Sequence, residues 1–365
     1  MTRRLVADRT GEPEEVLSVV DLPDDPPPGP GEVQLAVRTV GLNFLDVSLC
    51  RGEYPVRPTP PMTPGVEAAG RVVAAGVGAE HLLGQEVIAC PTLPRGALGD
   101  AVTVDAAVVV PRPATVDPTI AAALPVTYQT AWFALERAGV AAGQTVLVHA
   151  GAGGVGIAVT QLAVARGARV IATAGGARKT AVCRAEGAAV AFDYTTGDFV
   201  AAVREATDGR GADVIIDPVG GDVLARSLGC LAFEGAVVTV GAAGGPPAPV
   251  DPGRLIAANA TLIGLSWGSQ YPWRRATAVR AAYQALFDLY GSGAIRPRVS
   301  RVVPLDDVPA ALSELATEGP SARSSRGSRR GRGNDGDAGR RHGDLRPQGD
   351  CGPHRGAVGL RHGGR

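Results

Sequence analysis

A strand, a glycine-rich turn and a helix follow one another between residues 145 and 167, and this order constrains the fold most strongly. The apolar segment TVLVHA leads directly into the turn GAGGVG, and the helical segment VGIAVTQLAVARG follows. The turn consists of Gly151, Ala152, Gly153, Gly154, Val155 and Gly156. Such glycines permit a tight turn, a close approach of pyrophosphate to the backbone and close packing of helix on strand. The N–H groups at the start of the helix then face the phosphates. The pattern predicts a dinucleotide-binding site.

Strands and helices alternate along the chain from about Ile120 onward. Apolar segments of strand type (TVLVHA, RVIATA, AAVAFDY, ADVIIDPVG, GAVVTVGA) are separated by segments with helical spacing. Fully apolar strands alternating with helices indicate a parallel sheet that is covered on both faces. We therefore predict an α/β protein with a doubly wound Rossmann domain over residues 123–262.

The residues before this domain have a different pattern, typical of a compact and mostly antiparallel β unit. The segment Glu32–Gly41 alternates apolar and polar residues, and short β-type segments follow it between Gly and Pro residues. After residue 262 come an amphipathic helix, a short β-type segment and a last helix. We expect residues 1–122 to form one β-rich domain that residues 263–319 complete.

Composition excludes several classes of protein. None of the apolar segments approaches the roughly 18 residues that a membrane helix needs, and the first residues are charged where a signal peptide is apolar. We therefore expect a cytoplasmic protein without a membrane partner. Its five cysteines show no CxxC spacing, which argues against a disulfide framework and against a structural zinc site.

The end of the second strand of the Rossmann domain bears on the choice of cofactor. An NAD enzyme places Asp or Glu about 20 residues beyond the glycines to bind the ribose 2′-hydroxyl. Here that place holds Gly175 and Gly176, and Arg178 and Lys179 follow. Positive charge suits a 2′-phosphate, so we predict NADPH. The alternative is that Arg178 and Lys179 only begin a solvated helix.

Several segments together resemble the zinc-free quinone oxidoreductases of the medium-chain dehydrogenase/reductase superfamily. They are VGLNFLDVSLCRGEYP, TPGVEAAGRVVAAGVG, ALPVTYQTAWFAL and VLVHAGAGGVG, and the resemblance extends from about Arg4 to Gly319. The enoyl reductase domains of polyketide and fatty-acid synthases share much of this pattern. The resemblance implies a GroES-like catalytic domain beside the Rossmann domain. It also implies a homodimer formed near the segment TLIGLSWG.

The resemblance also implies roles for residues of the catalytic domain. Asn43 and Val66 match the Cys and His that bind catalytic zinc in related alcohol dehydrogenases, so no metal is expected. Asn43 and Tyr54 would line the pocket beside the nicotinamide, with Asp46 supporting the loop. Thr127 would face the nicotinamide edge. The alternatives are a surface-packed loop aromatic for Tyr54 and a purely structural role for Asp46.

Three further positions are carried over in the same way. Tyr194, after the third strand of the Rossmann domain, would lie near the adenosine 2′-phosphate. Val240 and Gly241, at the end of the fifth strand, would lie near the nicotinamide ribose. Trp267 would line the substrate channel, and a place in the core is its alternative.

The last segment of the chain departs from the family pattern. Residues 320–365 are rich in Arg and Gly and poor in large apolar residues, which predicts a disordered tail. An Arg/Gly-rich arm is one type of nucleic-acid-binding segment. The abrupt change of composition instead favours the product of a reading-frame shift, so no nucleic-acid partner is expected.

The preferred function is therefore NADPH-dependent hydride transfer to a quinone or a related conjugated carbonyl, without a metal. Two alternatives stay open, since fold and cofactor do not determine the substrate. One is an enoyl or enone reductase, in which Tyr54 would protonate the carbon next to the carbonyl. The other is a protein that binds NADPH without catalysis.

Overall fold

The computed structural model describes residues 1–244, 249–318 and 357–360. The strands are β1 (Thr2–Ala7), β2 (Leu17–Leu22), β3 (Glu32–Leu42), β4 (Ala68–Ala75), β5 (Glu86–Ala89), β6 (Ala101–Asp105), β7 (Val109–Pro111), β8 (Thr145–Val148), β9 (Arg169–Ala174), β10 (Val190–Asp193), β11 (Ala212–Asp217), β12 (Leu231–Thr239), β13 (Thr261–Gly264), β14 (Val299–Val303) and β15 (Ala357–Leu360). The α-helices are α1 (Pro13–Val16), α2 (Phe44–Cys50), α3 (Pro118–Ala121), α4 (Thr130–Arg137), α5 (Gly154–Ala165), α6 (Ala177–Ala185), α7 (Phe199–Ala206), α8 (Gly221–Ser227), α9 (Pro252–Ala258), α10 (Trp267–Arg274), α11 (Ala276–Gly291) and α12 (Val308–Glu318).

Six strands form a parallel sheet in the order β10-β9-β8-β11-β12-β13. Its two faces are both buried, which explains why its strands are apolar at successive positions. In β8, Val146 and Val148 belong to one core cluster and Leu147 belongs to another. The strand order reverses between β8 and β11, and ligands of such sheets bind at this place, beyond the carboxyl ends of the strands. The predicted doubly wound α/β fold is confirmed.

The other strands form a mostly antiparallel unit around the long strand β3. Alternate residues of β3 from Val33 to Val37 are buried, as the alternating sequence predicts. In this sheet the order is β14-β15-β3-β4-β5-β7, while β6 also pairs with β3 and β1 pairs with β2 in a separate hairpin. The segment after the Rossmann domain thus returns to the N-terminal unit through β14 and β15.

The expectation of a wholly disordered tail is wrong for Ala357–Leu360. This segment forms β15, which pairs in parallel with β14 and antiparallel with β3. Its residues AVGL are an apolar run at the far end of the Arg/Gly-rich segment, and backbone pairing on both sides compensates for its shortness. The remaining residues of the predicted tail, 320–356 and 361–365, lie outside the described residues.

A π-helix, Leu124–Gln129, connects α3 to α4 at the junction of the two units. The sequence shows helical spacing interrupted at Pro125, and proline lacks the N–H that a regular helix needs. Turns of π-helix are frequent at functional sites, and this one carries Thr127. No helix in the described parts of the chain combines the length and the apolar character needed to cross a membrane.

Candidate active site

The glycine-rich turn between β8 and α5 is closely packed, and its glycines are needed for different reasons. A β-carbon on Gly156 would lie 2.4 Å from the carbonyl oxygen of Ala150 and 2.7 Å from Cα of Gly151. On Gly153, which is exposed, a β-carbon would meet only the Ala150 oxygen, at 3.2 Å. Helix α5 begins at Gly154 without a side-chain cap. Its first N–H groups thus stay available for an anion.

Thr127 joins the π-helix to this turn. Its hydroxyl donates to the carbonyl oxygen of Ala123 at 2.7 Å. Its methyl group faces the turn, because a β-carbon on Gly154 would lie 2.8 Å from Cγ2 of Thr127. The structure therefore brings the predicted nicotinamide-side threonine against the predicted phosphate-binding loop.

The residues that were predicted to bind the adenosine end of the cofactor follow the carboxyl ends of β9 and β10. The hydroxyl of Tyr194 lies against Gly175, since a β-carbon on Gly175 would lie 2.8 Å from it. At the start of α6, Arg178 is exposed and Lys179 is half-buried. Asp193 lies close to this place and accepts from the N–H of Gly176 at 2.9 Å. Hydrogen bonds from Thr195 and Gly176 lower the pKa of Asp193.

Asn43 lies at the centre of a buried polar cluster at the start of α2. Its backbone N–H donates to Oδ2 of Asp46 at 2.9 Å, and the N–H of Gly65 donates to Oδ1 of Asp46 at 3.0 Å. Its side-chain Nδ2 donates to Oε1 of Glu67 at 2.6 Å. The other oxygen of Glu67 accepts from the N–H of Val126, in the π-helix, at 2.7 Å. The loop-supporting arrangement expected of Asp46 is thus present.

The two carboxyl groups of this cluster are fully buried, and burial disfavours their charged forms. Desolvation raises the pKa of Asp46 to about 6, although three backbone N–H groups oppose the shift. Desolvation raises the pKa of Glu67 to about 8, against the hydrogen bonds from Val126 and Asn43. Such pKa shifts are common at functional sites.

The remaining predicted site residues are Tyr54, Val240, Gly241 and Trp267. Tyr54 is partly buried against the core of the β-rich unit, and desolvation with the nearby Asp46 raises the pKa of its hydroxyl. Val240 and Gly241 directly follow β12, and the N–H of Val240 donates to the carbonyl oxygen of Asp217 at 2.9 Å. Trp267 is buried in the core, and its Nε1 has no hydrogen-bond partner among the described residues. Its place along a substrate channel stays a prediction.

Sequence reasoning missed two buried polar residues. Glu67 stands in the quoted segment TPGVEAAG, and an acid between apolar residues at the start of a strand was the available signal. His149 ends the apolar segment TVLVHA; its Nδ1 lies 2.8 Å from Oγ1 of Thr173 and its Nε2 lies 2.8 Å from Oγ of Ser227. Burial lowers the pKa of His149 to about 3, so the ring is neutral near pH 7.

The donor groups of the candidate site do not fit zinc, which prefers thiolate, imidazole and carboxylate ligands. Asn43 supplies an amide that already donates to Glu67, and Val66 supplies no donor atom. Both oxygens of Glu67 accept N–H groups of the protein. Across the described ranges, no three His, Cys, Asp or Glu side chains are grouped as a metal site requires.

Two family models match the chain. One, described as the alcohol dehydrogenase GroES-like domain, matches residues 29–114, and the other, described as zinc-binding dehydrogenase, matches residues 154–282. The chain is 36% identical to quinone oxidoreductase-like protein 2 of Bos taurus over 285 residues, which cover 77% of this chain and 81% of the relative. It is also 38% identical over 217 residues to phthioceranic/hydroxyphthioceranic acid synthase of Mycobacterium tuberculosis, covering 59% of this chain but only 10% of the synthase.

Solved structures agree with this result. A mycobacterial protein complexed with NADPH superposes with a TM-score of 0.81 at 31% identity, covering 99% of this chain and 100% of that one. The quinone oxidoreductase of Escherichia coli complexed with NADPH superposes with a TM-score of 0.81 at 27% identity, with coverage of 99% and 100%. Together with the GroES-like unit and the doubly wound sheet, these likenesses show that the chain belongs to the quinone oxidoreductase family of the medium-chain dehydrogenase/reductase superfamily.

Proposed function

We propose that this oxidoreductase binds NADPH and transfers hydride to a quinone or a related conjugated carbonyl without a metal. The observation that carries the proposal is the contact of Thr127 with Gly154, which joins the phosphate-binding turn to the π-helix beside Asn43. Phosphates would bind the N-terminal end of α5, and the 2′-phosphate would lie near Arg178 and Lys179. Relatives of known structure that were solved with NADPH support this choice of cofactor.

Bound NADPH would supply the hydride. The protein would supply position and electrostatics: Thr127 limits the nicotinamide side of the cleft, and Tyr54 and the Asn43 loop form its substrate side. Tyr54, whose pKa is raised by burial, keeps its hydroxyl proton near pH 7 and can donate a hydrogen bond to a carbonyl oxygen. Among the residues that the structure describes there is no zinc-type donor set to polarise that oxygen, so we assign the task to such hydrogen bonds.

Reduction of an activated C=C bond is the second candidate, and the similarity to the mycobacterial synthase favours it. The purified protein should be assayed for NADPH oxidation with phenanthrenequinone, naphthoquinones, simple enones and a crotonyl thioester. Turnover of quinones supports the proposal. Turnover confined to enones or the thioester assigns the protein to the reductase branch, and NADPH binding without turnover contradicts both.

We also propose a homodimer formed through β13. This strand is the edge of the parallel sheet, and three of its four residues are exposed, Leu262 among them. Nearby, Ile256 of α9 is 76% exposed, and such apolar surface at a sheet edge favours pairing with a second copy. Light scattering coupled to size-exclusion chromatography tests this: a molar mass near the monomer value of 37.1 kDa contradicts it.

A further inference from the structure

The carboxyl group of Glu67 accepts hydrogen bonds both from the substrate-side loop, which carries Asn43, and from the π-helix. It directly precedes β4 and is 0% exposed. Oε1 accepts from Nδ2 of Asn43 at 2.6 Å, and Oε2 accepts from the N–H of Val126 at 2.7 Å. Val126 immediately precedes Thr127, whose methyl group contacts the phosphate-binding turn. Through these two hydrogen bonds, the carboxyl group links the loop of the catalytic domain to the π-helix that contacts the phosphate-binding turn.

The surroundings of Glu67 are built around its carboxyl group. A β-carbon on Gly41 would lie 2.3 Å from Oε1 of Glu67 and 2.5 Å from the carbonyl oxygen of Ala122, so only glycine leaves the necessary room there. Among the described residues, the titratable groups that interact electrostatically with Glu67 are Asp46 of α2, Cys90 after β5 and Tyr283 of α11. None of these three groups carries a positive charge that would stabilise an ionised carboxyl group. An apolar side chain would fill this space without the cost of burying a carboxyl group.

We propose that Glu67 is a positioning residue for hydride transfer: it holds the Asn43 loop and the Thr127-bearing π-helix at a fixed separation. This inference rests on the proposed function, because the two elements would hold the substrate and the nicotinamide. Small errors of position between reacting groups reduce rates strongly, by up to about a hundredfold per ångström. In the proposed function the cofactor phosphates bind at the start of α5, whereas the hydrogen bonds of Glu67 go to Asn43 and Val126.

At a pH above the Glu67 pKa of about 8, the carboxyl group is ionised and both of its oxygens accept hydrogen bonds. Under this condition the substitution Glu67→Gln separates the two hydrogen bonds. The N–H of Val126 belongs to the backbone and cannot turn, so the amide oxygen of Gln must face it. The NH2 group then faces Nδ2 of Asn43, which is also a donor, so the bond is lost unless the Asn43 amide turns over. Turning it over would take the Asn43 side-chain oxygen away from the backbone N–H of Asp46 in the capping box of α2. We expect kcat with phenanthrenequinone to fall about tenfold or more, while the dissociation constant of NADPH, measured by fluorescence, changes by less than about threefold.

The deciding experiment is a double-mutant cycle of Glu67→Gln with Asn43→Ala. If Glu67 acts through Asn43, Glu67→Gln lowers kcat much less in the Asn43→Ala background than in the wild type. Equal factors in both backgrounds, or an unchanged kcat in Glu67→Gln, overturn the proposal. A loss of NADPH affinity as large as the loss of kcat also overturns it, because it indicates general damage to the fold.

The free energy of unfolding of the wild type, the two single variants and the double variant is also measured with urea, which needs no catalytic turnover. Coupled losses of stability confirm that the hydrogen bond joins the two residues, and additive losses contradict it. If the wild type oxidises no NADPH with any quinone or enone, the proposed function fails, and with it the assignment of Glu67 to hydride transfer. The unfolding cycle then still decides whether Glu67 and Asn43 act together, so the two failures are distinguished.

Discussion

The hydroxyl of Tyr194 lies 2.8 Å from the point where a β-carbon on Gly175 would stand. Gly175 follows the last residue of β9, at the place where an NAD enzyme carries its acidic residue. Glycine and a tyrosine hydroxyl fill this place here, and Arg178 and Lys179 follow in the first turn of α6. No carboxylate stands at position 175. The nearby Asp193 accepts from the N–H of Gly176 at 2.9 Å, and the positive charge for a 2′-phosphate would come from Arg178 and Lys179.

Replacing both Arg178 and Lys179 by Ala should therefore weaken the binding of NADPH more than the binding of NADH. We expect KM for NADPH to rise about tenfold, because two charge-assisted contacts to the 2′-phosphate are lost, and KM for NADH to change by less than about threefold. Steady-state kinetics with both cofactors measures this. Arg184→Ala, at the far end of α6 where Arg184 donates to the carbonyl oxygen of Ala191 at 2.9 Å, is the matched control. Equal losses for NADPH and NADH would show that the two bases do not bind the 2′-phosphate.

Two glycines of the turn should respond differently to valine. Gly156→Val places a β-carbon 2.4 Å from the Ala150 oxygen, so we expect loss of folding stability of several kcal/mol, on the scale of an overpacked core. Gly153 is exposed and meets only a 3.2 Å contact, so Gly153→Val should retain most of the stability but weaken NADPH binding about tenfold or more. Thermal unfolding and fluorescence titration distinguish the two effects. NADPH affinity unaltered by Gly153→Val would refute the assigned phosphate site.

Removing the hydroxyl of Tyr54 tests its role on the substrate side. Tyr54→Phe should lower kcat/KM for a quinone roughly tenfold, since one hydrogen bond that stabilises the transition state is lost. The dissociation constant of NADPH should stay unchanged. Tyr290→Phe, a half-buried tyrosine of α11, controls for the loss of a phenolic hydroxyl elsewhere. Wild-type kinetics in Tyr54→Phe would favour a merely packed loop aromatic.

His149 should make the protein sensitive to acid. Its pKa is about 3 in the folded state, through burial and the nearby Arg226, against about 6.5 when unfolded. The unfolded state therefore binds more protons between these pH values, and stability is lost as the pH falls through this window. On the order of 3 kcal/mol should disappear between pH 6.5 and 4. Urea unfolding of His149→Gln should show a weaker pH dependence, and His81→Gln, at an exposed position, should follow the wild type.

The sequence predicted the parallel sheet because its strands are apolar on both faces, as Val146 and Leu147 illustrate. It did not reveal β15, since Ala357–Leu360 lies beyond a long polar segment and its stability depends on pairing with β3 and β14. The strand β1 also went unrecognised, because its hairpin carries charged Arg3 and Arg4. The domain boundaries at residues 122 and 262, and a cytoplasmic location, stay predictions.

At the site, local motifs were more informative than contacts between distant segments. The glycine turn was visible because strand, turn and helix are contiguous. The link from Glu67 to Val126 joins residues 59 positions apart, and no periodicity encodes such a contact. The assigned roles of Asn43, Asp46 and Tyr54 stay predictions until variants are measured.

The most direct test is the initial rate of phenanthrenequinone reduction by the purified protein, with NADPH or NADH, before and after treatment with EDTA. We expect turnover with NADPH, a rate with NADH at least about tenfold lower at equal concentration, and no effect of EDTA. A preference for NADH, or activity that EDTA abolishes and zinc restores, would contradict the proposed function.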